Sequence, residues 1–196
     1  MSLFLDLLRE HLGPDYPLSE WQYGKLEAHF NLLWRWKQKI NLTAVQDVEE
    51  LVVHHYCESI ALGSIIPLGK HRIMDVGSGA GFPGIPLMIA RPDCFVLLVE
   101  SDGRKSIFLR EATLDLPNSL VFRTRVEQMQ QGCDWMVSRA IRWSDLIPSA
   151  DRLAAHLALL VTSDTADQAA MDFRLRWREP IPLPWGERKV ILIGDV

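Results

Sequence analysis

The chain has 196 residues, the size of one α/β domain with a modest additional element. Apolar residues make up 48% of the sequence and charged residues 23%, so the composition is that of a folded protein and excludes a disordered one. The net charge of −4 disfavours a strongly basic nucleic-acid binder, although local clusters of cations remain.

Two further classes of protein are disfavoured by what the sequence lacks. No apolar run reaches the ~18 to 20 residues that cross a bilayer, and the first ten residues contain no basic leader. We therefore expect a cytoplasmic protein without membrane association. Cys57, Cys94 and Cys133 are far apart and form no Cys-x-x-Cys pair, which disfavours a disulfide framework and a zinc site. We expect no bound metal.

The first third of the chain has helical periodicity. A short amphipathic helix is predicted to end before the Gly13-Pro14 pair, because these residues favour termination. Ser19 and Gln22 have the spacing of a capping box and predict the start of a second helix. A third helix is predicted from Asp47 towards Pro67. Residues 1–67 are thus predicted to form a helical cap.

From residue 72 the pattern changes to short apolar runs that alternate with helices, as in βαβ units with a parallel sheet. Strands are predicted over residues 72–76, 95–100, 120–124, 135–138 and 157–162. Helices are predicted after Pro83, Gly103, Val126 and Trp143. Residues 177–183 and 189–193 are predicted to form a terminal hairpin. This order predicts an α/β fold with a class I, Rossmann-like methyltransferase sheet over residues 68–196.

A glycine-rich loop follows the first predicted strand, in the segment Asp75-Val76-Gly77-Ser78-Gly79-Ala80-Gly81. Glycines at alternate positions let the backbone approach a ligand closely, and Pro83 suits the first turn of the helix behind them. A dinucleotide site is the competing interpretation, but its fingerprint is Gly-x-Gly-x-x-Gly. The spacing seen here favours S-adenosylmethionine, with Gly77 and Gly79 as cofactor contacts.

Acidic residues at the ends of the next strands complete the predicted cofactor site. Glu100 ends the second strand, where a carboxylate can accept both hydroxyl groups of an adenosine ribose. Val126 and Glu127 follow the third strand at the same sheet edge and are predicted to contact the adenine. The alternative for both acids is a solvated surface carboxylate.

Seven segments of the chain resemble, in order and spacing, the bacterial RsmG family, also called glucose-inhibited division protein B. The segments that carry the resemblance are Ile40 to Ala44, His54 to Ser59, Ile73 to Pro86, Gly103 to Lys105, Phe108 to Arg110, Arg125 to Glu127 and Ser138 to Ala140. The resemblance covers roughly residues 20–145. It implies transfer of a methyl group to N7 of a guanine in 16S ribosomal RNA, either free or in the small ribosomal subunit.

The resemblance also implies roles for single residues. Carried over by position, the cofactor contacts of the family fall on Gly77, Phe82, Val126, Glu127 and Arg139. Guanine N7 has an in-plane lone pair and no proton, so it can attack the methyl sulfonium without a general base. Arg139 is then the expected catalytic residue, orienting the guanine edge or the cofactor carboxylate. The alternative for Arg139 is an ion pair at the end of a strand.

Basic residues near the predicted cofactor edge are the candidates for RNA contact. Arg104 and Lys105 are preferred over the cluster of Arg35, Lys37 and Lys39, whose positive charges suit the last turn of a helix. We expect the chain to act as a monomer.

The resemblance weakens after residue 145. Where the family has a Leu-Lys-Gly step, this chain has the segment Val161 to Asp164, and Glu58 stands where the family usually has aspartate. Two alternatives therefore stay open. One is a methyltransferase that acts on another substrate through the same cofactor site. The other is a divergent protein that binds S-adenosylmethionine but has lost catalysis.

Overall fold

A computed structural model describes residues 2–139 and 141–196, so that Ala140 of the Ser138-Arg139-Ala140 segment lies outside the described residues. Its central feature is an eight-stranded sheet with the order β3-β2-β1-β4-β5-β8-β6, in which β7 also pairs with β8. The strands are β1 (Arg72–Val76), β2 (Phe95–Val99), β3 (Ser119–Phe122), β4 (Cys133–Ser138), β5 (Ala154–Thr162), β6 (Arg176–Trp177), β7 (Ile181–Pro182) and β8 (Lys189–Asp195).

Strands β1 to β5 pair in parallel, and β8 runs antiparallel beside β5. Parallel neighbours require crossover connections, which place helices on both faces of the sheet. Strand β1 is accordingly buried at four of its five positions. This arrangement confirms the predicted class I fold with its five-strand core.

The helices pack on both faces of the sheet. They are α1 (Leu3–Leu12), α2 (Glu20–Trp36), α3 (Val48–Leu51), a π-helical segment (Val52–Cys57), α4 (Glu58–Ile65), α5 (Gly84–Ala90), α6 (Gly103–Ala112), α7 (Trp143–Leu153) and α8 (Ser163–Ala170). None of the helices in the described part of the chain is long and apolar enough to span a membrane.

The predicted start of α2 is correct in detail. The Ser19 hydroxyl accepts a hydrogen bond from the Gln22 amide, and the Gln22 side chain accepts one from the Ser19 amide. The side-chain amide of Gln22 also donates to the Ile89 and Ala90 carbonyl oxygens at the end of α5, at 2.8 and 3.1 Å. Gln22 of the capping box therefore both helps to start α2 and attaches this helix to the sheet domain.

The third predicted helix is continuous but irregular. Asp47 caps α3 through the Glu50 amide, as the sequence predicts, and the helix then widens into the π-helical segment before α4. A π-helical turn displaces side chains relative to regular α-helical spacing and is found often at functional sites. Here His55 and Tyr56 lie against Phe82 of the loop that follows β1.

Two predictions downstream of β3 were wrong in local detail, and one helix was missed. Val126 begins only a 3-10 turn, Val126–Gln128, because four residues separate that turn from β4 and leave no room for a helix. The strand predicted over 177–183 is divided into β6 and β7, since Pro180 supplies no amide hydrogen to the ladder. Helix α8 was not predicted, because its buried apolar side chains are only those of two alanines.

The cap and the sheet share one hydrophobic core. Leu8, Leu26 and Tyr56 from the cap helices belong to the same buried cluster as Ile73 of β1 and Val96 of β2. Burial of such side chains contributes roughly 1.5 to 3 kcal/mol each. The cap therefore packs against the sheet on the side where the glycine loop also lies.

Candidate cofactor and substrate site

The loop between β1 and α5 turns sharply through its three alternate glycines. Gly77, Gly79 and Gly81 have φ values of +74°, +54° and +90°, a region that side chains disfavour. A Cβ atom on Gly77 would lie 2.7 Å from the Cδ1 atom of Ile141. The loop thus exposes bare backbone at the carboxyl edge of the sheet, as the sequence predicts from its spacing.

Asp75 fixes the base of this loop from a fully buried position. Its Oδ2 atom accepts a hydrogen bond from the Gly84 amide at 3.0 Å, at the start of α5. Its Oδ1 atom has no hydrogen-bond partner among the described residues. Burial, with a smaller contribution from the nearby Glu100 charge, raises the pKa of Asp75 to about 7.

This raised pKa predicts how Asp75→Asn changes the pH dependence of stability. Between about pH 4 and pH 7 the unfolded chain has lost the Asp75 proton while the folded chain retains it, so stability falls as the pH rises. Asparagine does not titrate, so the variant does not lose this stability as the pH rises. The free energy of unfolding of the variant, relative to that of the parent, should therefore increase by on the order of 4 kcal/mol from pH 4 to pH 8. Urea unfolding of both proteins across this range is the measurement, and parallel stability curves would contradict the assignment.

A cavity of about 250 Å³ opens beside the glycine loop, at the carboxyl ends of β1, β2 and β3. Gly77, Glu100, Val126 and Glu127 line it together, so four of the predicted cofactor residues meet in one cleft. Ligands of open α/β folds bind at this edge of the sheet. The role of these residues as cofactor contacts stays a prediction.

Glu100 connects the two sides of this cleft. Its carboxylate is 8% exposed, with Oε2 accepting from the Gly79 amide at 2.9 Å and Oε1 accepting from the Asp102 amide at 2.8 Å. A carboxylate offers about four acceptor positions, so each oxygen retains capacity for a further donor. Glu100 can therefore hold the glycine loop and still accept hydroxyl groups of a ribose.

Phe82 lies differently from the other predicted cofactor residues. Its ring is 6% exposed and is surrounded by rings from the cap, with centroids 4.7 Å from His55, 5.0 Å from Tyr56 and 5.4 Å from His29. Burial lowers the pKa of His55 to about 3, which keeps its imidazole neutral. The ring of Phe82 attaches the loop to the cap.

Arg139 follows β4 and points towards the cap. Its Nη1 atom donates to Glu58 Oε2 at 2.9 Å and to the His54 carbonyl oxygen. Glu58 is 1% exposed, and its Oε1 atom lies 3.0 Å from His54 Nδ1. Burial lowers the pKa of Arg139, and the Glu58 charge opposes that effect. Arg139 therefore forms an ion pair at the end of β4, which was the alternative to its predicted catalytic role. The catalytic role stays a prediction.

Arg139 also borders a second cavity of about 740 Å³, on the β4–β5 side of the same sheet edge. Ile141 lines this cavity and the 250 Å³ cleft, so the two adjoin at its side chain. Arg142 and Lys189 line the second cavity as well. Sequence reasoning did not select these last three residues, because nothing local in the sequence relates β8 to the segment after β4.

Arg104 and Lys105 lie outside both cavities, in the first turn of α6. Their backbone amides donate to Asp102 Oδ1 at 2.8 and 2.9 Å, which caps the helix. Neither side chain makes an ion pair with any residue that the structure describes. The Arg123 guanidinium lies against Gly103, so a third cation adjoins this turn.

A third cavity lies away from this edge of the sheet. It measures about 940 Å³ and lies at the opposite, amino-terminal edge of the sheet, around Lys70 and Asp134. Among residues 2–139 and 141–196, no group of three or more His, Cys, Asp or Glu side chains is arranged to hold a metal ion.

The sequence model of the GidB family, described as rRNA small subunit methyltransferase G, matches residues 22–155. The chain belongs to the GidB family. This membership confirms the resemblance seen in the sequence, and with it the predicted enzyme class, an rRNA methyltransferase that uses S-adenosylmethionine. The match stops shortly after the start of β5, in agreement with the weaker resemblance of the carboxyl-terminal part.

Individual GidB relatives extend the similarity over most of the chain. Three proteins named ribosomal RNA small subunit methyltransferase G illustrate it. The one from Pseudomonas fluorescens is 33% identical over 189 residues, which are 90% of this chain and 87% of that protein. The one from Chromobacterium violaceum is 39% identical over 86% of this chain and 79% of its own length. The one from Leptothrix cholodnii is 40% identical over 59% of this chain and 56% of its own length.

Solved structures with little sequence similarity share the fold. A ribosomal protein L11 methylase from Lactobacillus delbrueckii aligns with a TM-score of 0.58 at 14% identity, covering 70% of this chain and 76% of that one. A SAM-dependent methyltransferase from Aquifex aeolicus aligns with a TM-score of 0.56 at 14% identity, covering 74% of this chain and 92% of that one. These likenesses support the class I sheet in this member of the GidB family.

Proposed function

We propose that this GidB-family chain transfers the methyl group of S-adenosylmethionine to N7 of a guanine in 16S ribosomal RNA. The observation that carries the proposal is the pair of adjoining cavities at the carboxyl edge of the sheet, one beside the glycine loop and one beside Arg139. A cofactor in the first and a nucleotide in the second would meet at Ile141.

The first cavity offers the contacts that the parts of the cofactor require. Backbone at Gly77 lines the cavity, and Gly77 and Gly79 would lie near the amino-acid end, while Glu100 has acceptor capacity for the ribose hydroxyls. Val126 and Glu127 border the place where an adenine would lie. When bound, S-adenosylmethionine supplies an electrophilic methyl group on a positively charged sulfur.

The residues of the second cavity favour a target atom that needs no deprotonation. Among the described residues that line it, none is a carboxylate or an imidazole that could act as a general base. Guanine N7 has an in-plane lone pair and no proton, so its methylation by bound S-adenosylmethionine would require no proton transfer by the chain. The chain then acts by positioning two reactants, which can lower a barrier by roughly 7 to 11 kcal/mol.

Cations around the second cavity suit a nucleotide. Arg142 and Lys189 make no ion pair with the described parts of the chain, so their charges are available to phosphate groups. Arg139 is held by Glu58 and can present its remaining donors to the guanine edge or to the cofactor carboxylate. We assign it the catalytic role on this basis.

Arg104 and Lys105 are proposed to contact the RNA backbone beside the cofactor edge. Replacing both with alanine should weaken RNA binding and reduce the salt dependence, because each lost phosphate contact lowers the slope of log K against log salt by roughly 0.7 on single-stranded RNA. Filter binding of 16S rRNA at several salt concentrations measures this slope.

The matched control for that variant replaces Lys70 and Arg176, two exposed cations at the opposite sheet edge. It changes the net charge by the same amount and should leave the slope nearly unaltered. Equal slopes for the two double variants would show that only net charge matters, and would remove Arg104 and Lys105 from the interface.

The decisive experiment is transfer of a labelled methyl group. The chain is incubated with labelled S-adenosylmethionine and either naked 16S rRNA, small ribosomal subunits or total protein, and the modified base is mapped. Label at a guanine N7 of 16S rRNA is the expected result. Label elsewhere would favour the alternative substrate, and binding without transfer would favour a protein that has lost catalysis. Absence of cofactor binding in calorimetry would remove all three functions.

The same proposal includes the organisation of the chain. Residues 1–67 would serve as a cap that holds the glycine loop from one side, and residues 68–196 would carry the reaction. We propose that the chain acts as a monomer, which light scattering can test, and that it works in the cytoplasm, where ribosomal subunits are assembled.

A further inference from the structure

A buried histidine of the cap makes a direct hydrogen bond to the glycine loop. His29 lies on α2, is 3% exposed, and its Nε2 atom lies 3.0 Å from the Ala80 carbonyl oxygen, between Gly79 and Gly81. Its Nδ1 atom lies 2.8 Å from the Tyr56 hydroxyl in the π-helical segment. Three parts of the chain that are distant in sequence thus meet at one imidazole.

The acceptors around the ring determine its protonation state. A carbonyl oxygen can only accept, so Nε2 must carry the hydrogen, and Nδ1 then accepts from the Tyr56 hydroxyl. Burial lowers the pKa of His29 to about 4, so this neutral form persists at physiological pH. Both nitrogens and the tyrosine hydroxyl are then satisfied, and the bond to Ala80 joins two buried residues.

The cap contacts the loop at two places, through the His29 bond to Ala80 and through the rings that pack against Phe82. A Cβ atom on Gly81 would lie 3.2 Å from His29 Nε2, so the imidazole also lies close to the loop backbone at Gly81. From the opposite side, Glu100 accepts from the Gly79 amide. The loop is therefore held between a donor from the cap and an acceptor from the sheet.

We propose that His29 is a positioning residue that sets the glycine loop for the amino-acid end of S-adenosylmethionine. The inference rests on the proposed function, because it assigns that loop to the cofactor. It makes the cap a part of the cofactor site through one hydrogen bond. The adenosine end, at Glu100 and Val126, lies on the sheet side and does not depend directly on this contact.

The test compares two ligands and three variants by calorimetry. S-adenosylmethionine contacts the whole site, whereas 5′-methylthioadenosine lacks the amino-acid end. His29→Leu removes the donor to Ala80 and should weaken S-adenosylmethionine roughly three- to tenfold. Binding of 5′-methylthioadenosine should change less than about twofold. His29→Gln retains an amide donor near the Nε2 position and should restore most of the lost affinity.

Leu33→Ala is the matched control, since Leu33 is a buried residue of the same helix with an apolar side chain. It should lower the melting temperature without altering the ratio of the two affinities. Equal weakening of both ligands in His29→Leu, or the same change in ratio in Leu33→Ala, would overturn the inference and leave His29 a structural residue. A parent chain that binds neither ligand would instead contradict the proposed function.

Discussion

Gly77→Arg should abolish binding of S-adenosylmethionine, with a loss of affinity of more than about 100-fold, while the chain retains its fold. The side chain would enter a cleft of only about 250 Å³ that Glu100 and Val126 also line. Its Cβ atom would first meet Ile141 at 2.7 Å, and the φ value of +74° adds strain of about 1 to 2 kcal/mol. Ile141 is a flexible neighbour, so displacement of its side chain can accommodate the Cβ atom.

Calorimetric titration measures the affinity, and far-ultraviolet circular dichroism with a melting curve monitors the fold. Gly13→Arg is the matched control, because Gly13 has a similar φ value of +55° and no atom within 4 Å of its Cβ position. That variant also places a side chain at a positive φ, at the end of α1, and should bind the cofactor as the parent does. Unchanged affinity in Gly77→Arg would place the cofactor elsewhere.

The glycine loop could be predicted from the sequence because its determinants are adjacent. The apolar run of β1, the alternate glycines after Val76 and the proline before α5 are local, and each predicts a backbone conformation without knowledge of distant residues. Glu100 could be predicted for the same reason, since a parallel strand placed after a crossover ends at the same sheet edge.

Contacts between distant segments could not be predicted in this way. His29 and Ala80 are 51 residues apart, and Glu58 and Arg139 are 81 apart. Both contacts depend on how the cap packs against the sheet, which involves apolar surfaces that many registers could satisfy. The position of Phe82 shows the same limit. The motif predicts that it lies at the loop, but only the packing of the cap shows that rings from α2 and the π-helical segment enclose it.

Loss of basic residues after 145 has a structural counterpart. The altered segment from Val161 lies at the end of β5 and the start of α8, on the border of the second cavity. Lys189 of β8 reaches the same cavity because β8 runs antiparallel to β5, with Lys189 opposite Thr162. A cation supplied from β8 thus occupies the region in which the sequence of β5 lacks one.

Arg139→Ala should reduce methyl transfer by more than about 100-fold and also lower the melting temperature. The second effect follows from Glu58, which is 1% exposed and would be left without its cationic partner. An uncompensated buried charge costs about 3 to 5 kcal/mol, or roughly 10 °C for a chain of this size. Loss of activity in this variant alone therefore does not separate catalysis from stability.

The double variant Arg139→Ala with Glu58→Gln separates them. Glutamine removes the buried negative charge and can still hydrogen-bond to His54, so most of the melting temperature should return. If Arg139 orients the reactants, turnover of 16S rRNA with saturating cofactor should stay low in the double variant, because the guanidinium donors of Arg139 are absent from the second cavity. Recovery of turnover together with stability would instead make Arg139 the ionic partner of Glu58, and would leave catalysis to Arg142, Lys189 and the placement of the two cavities.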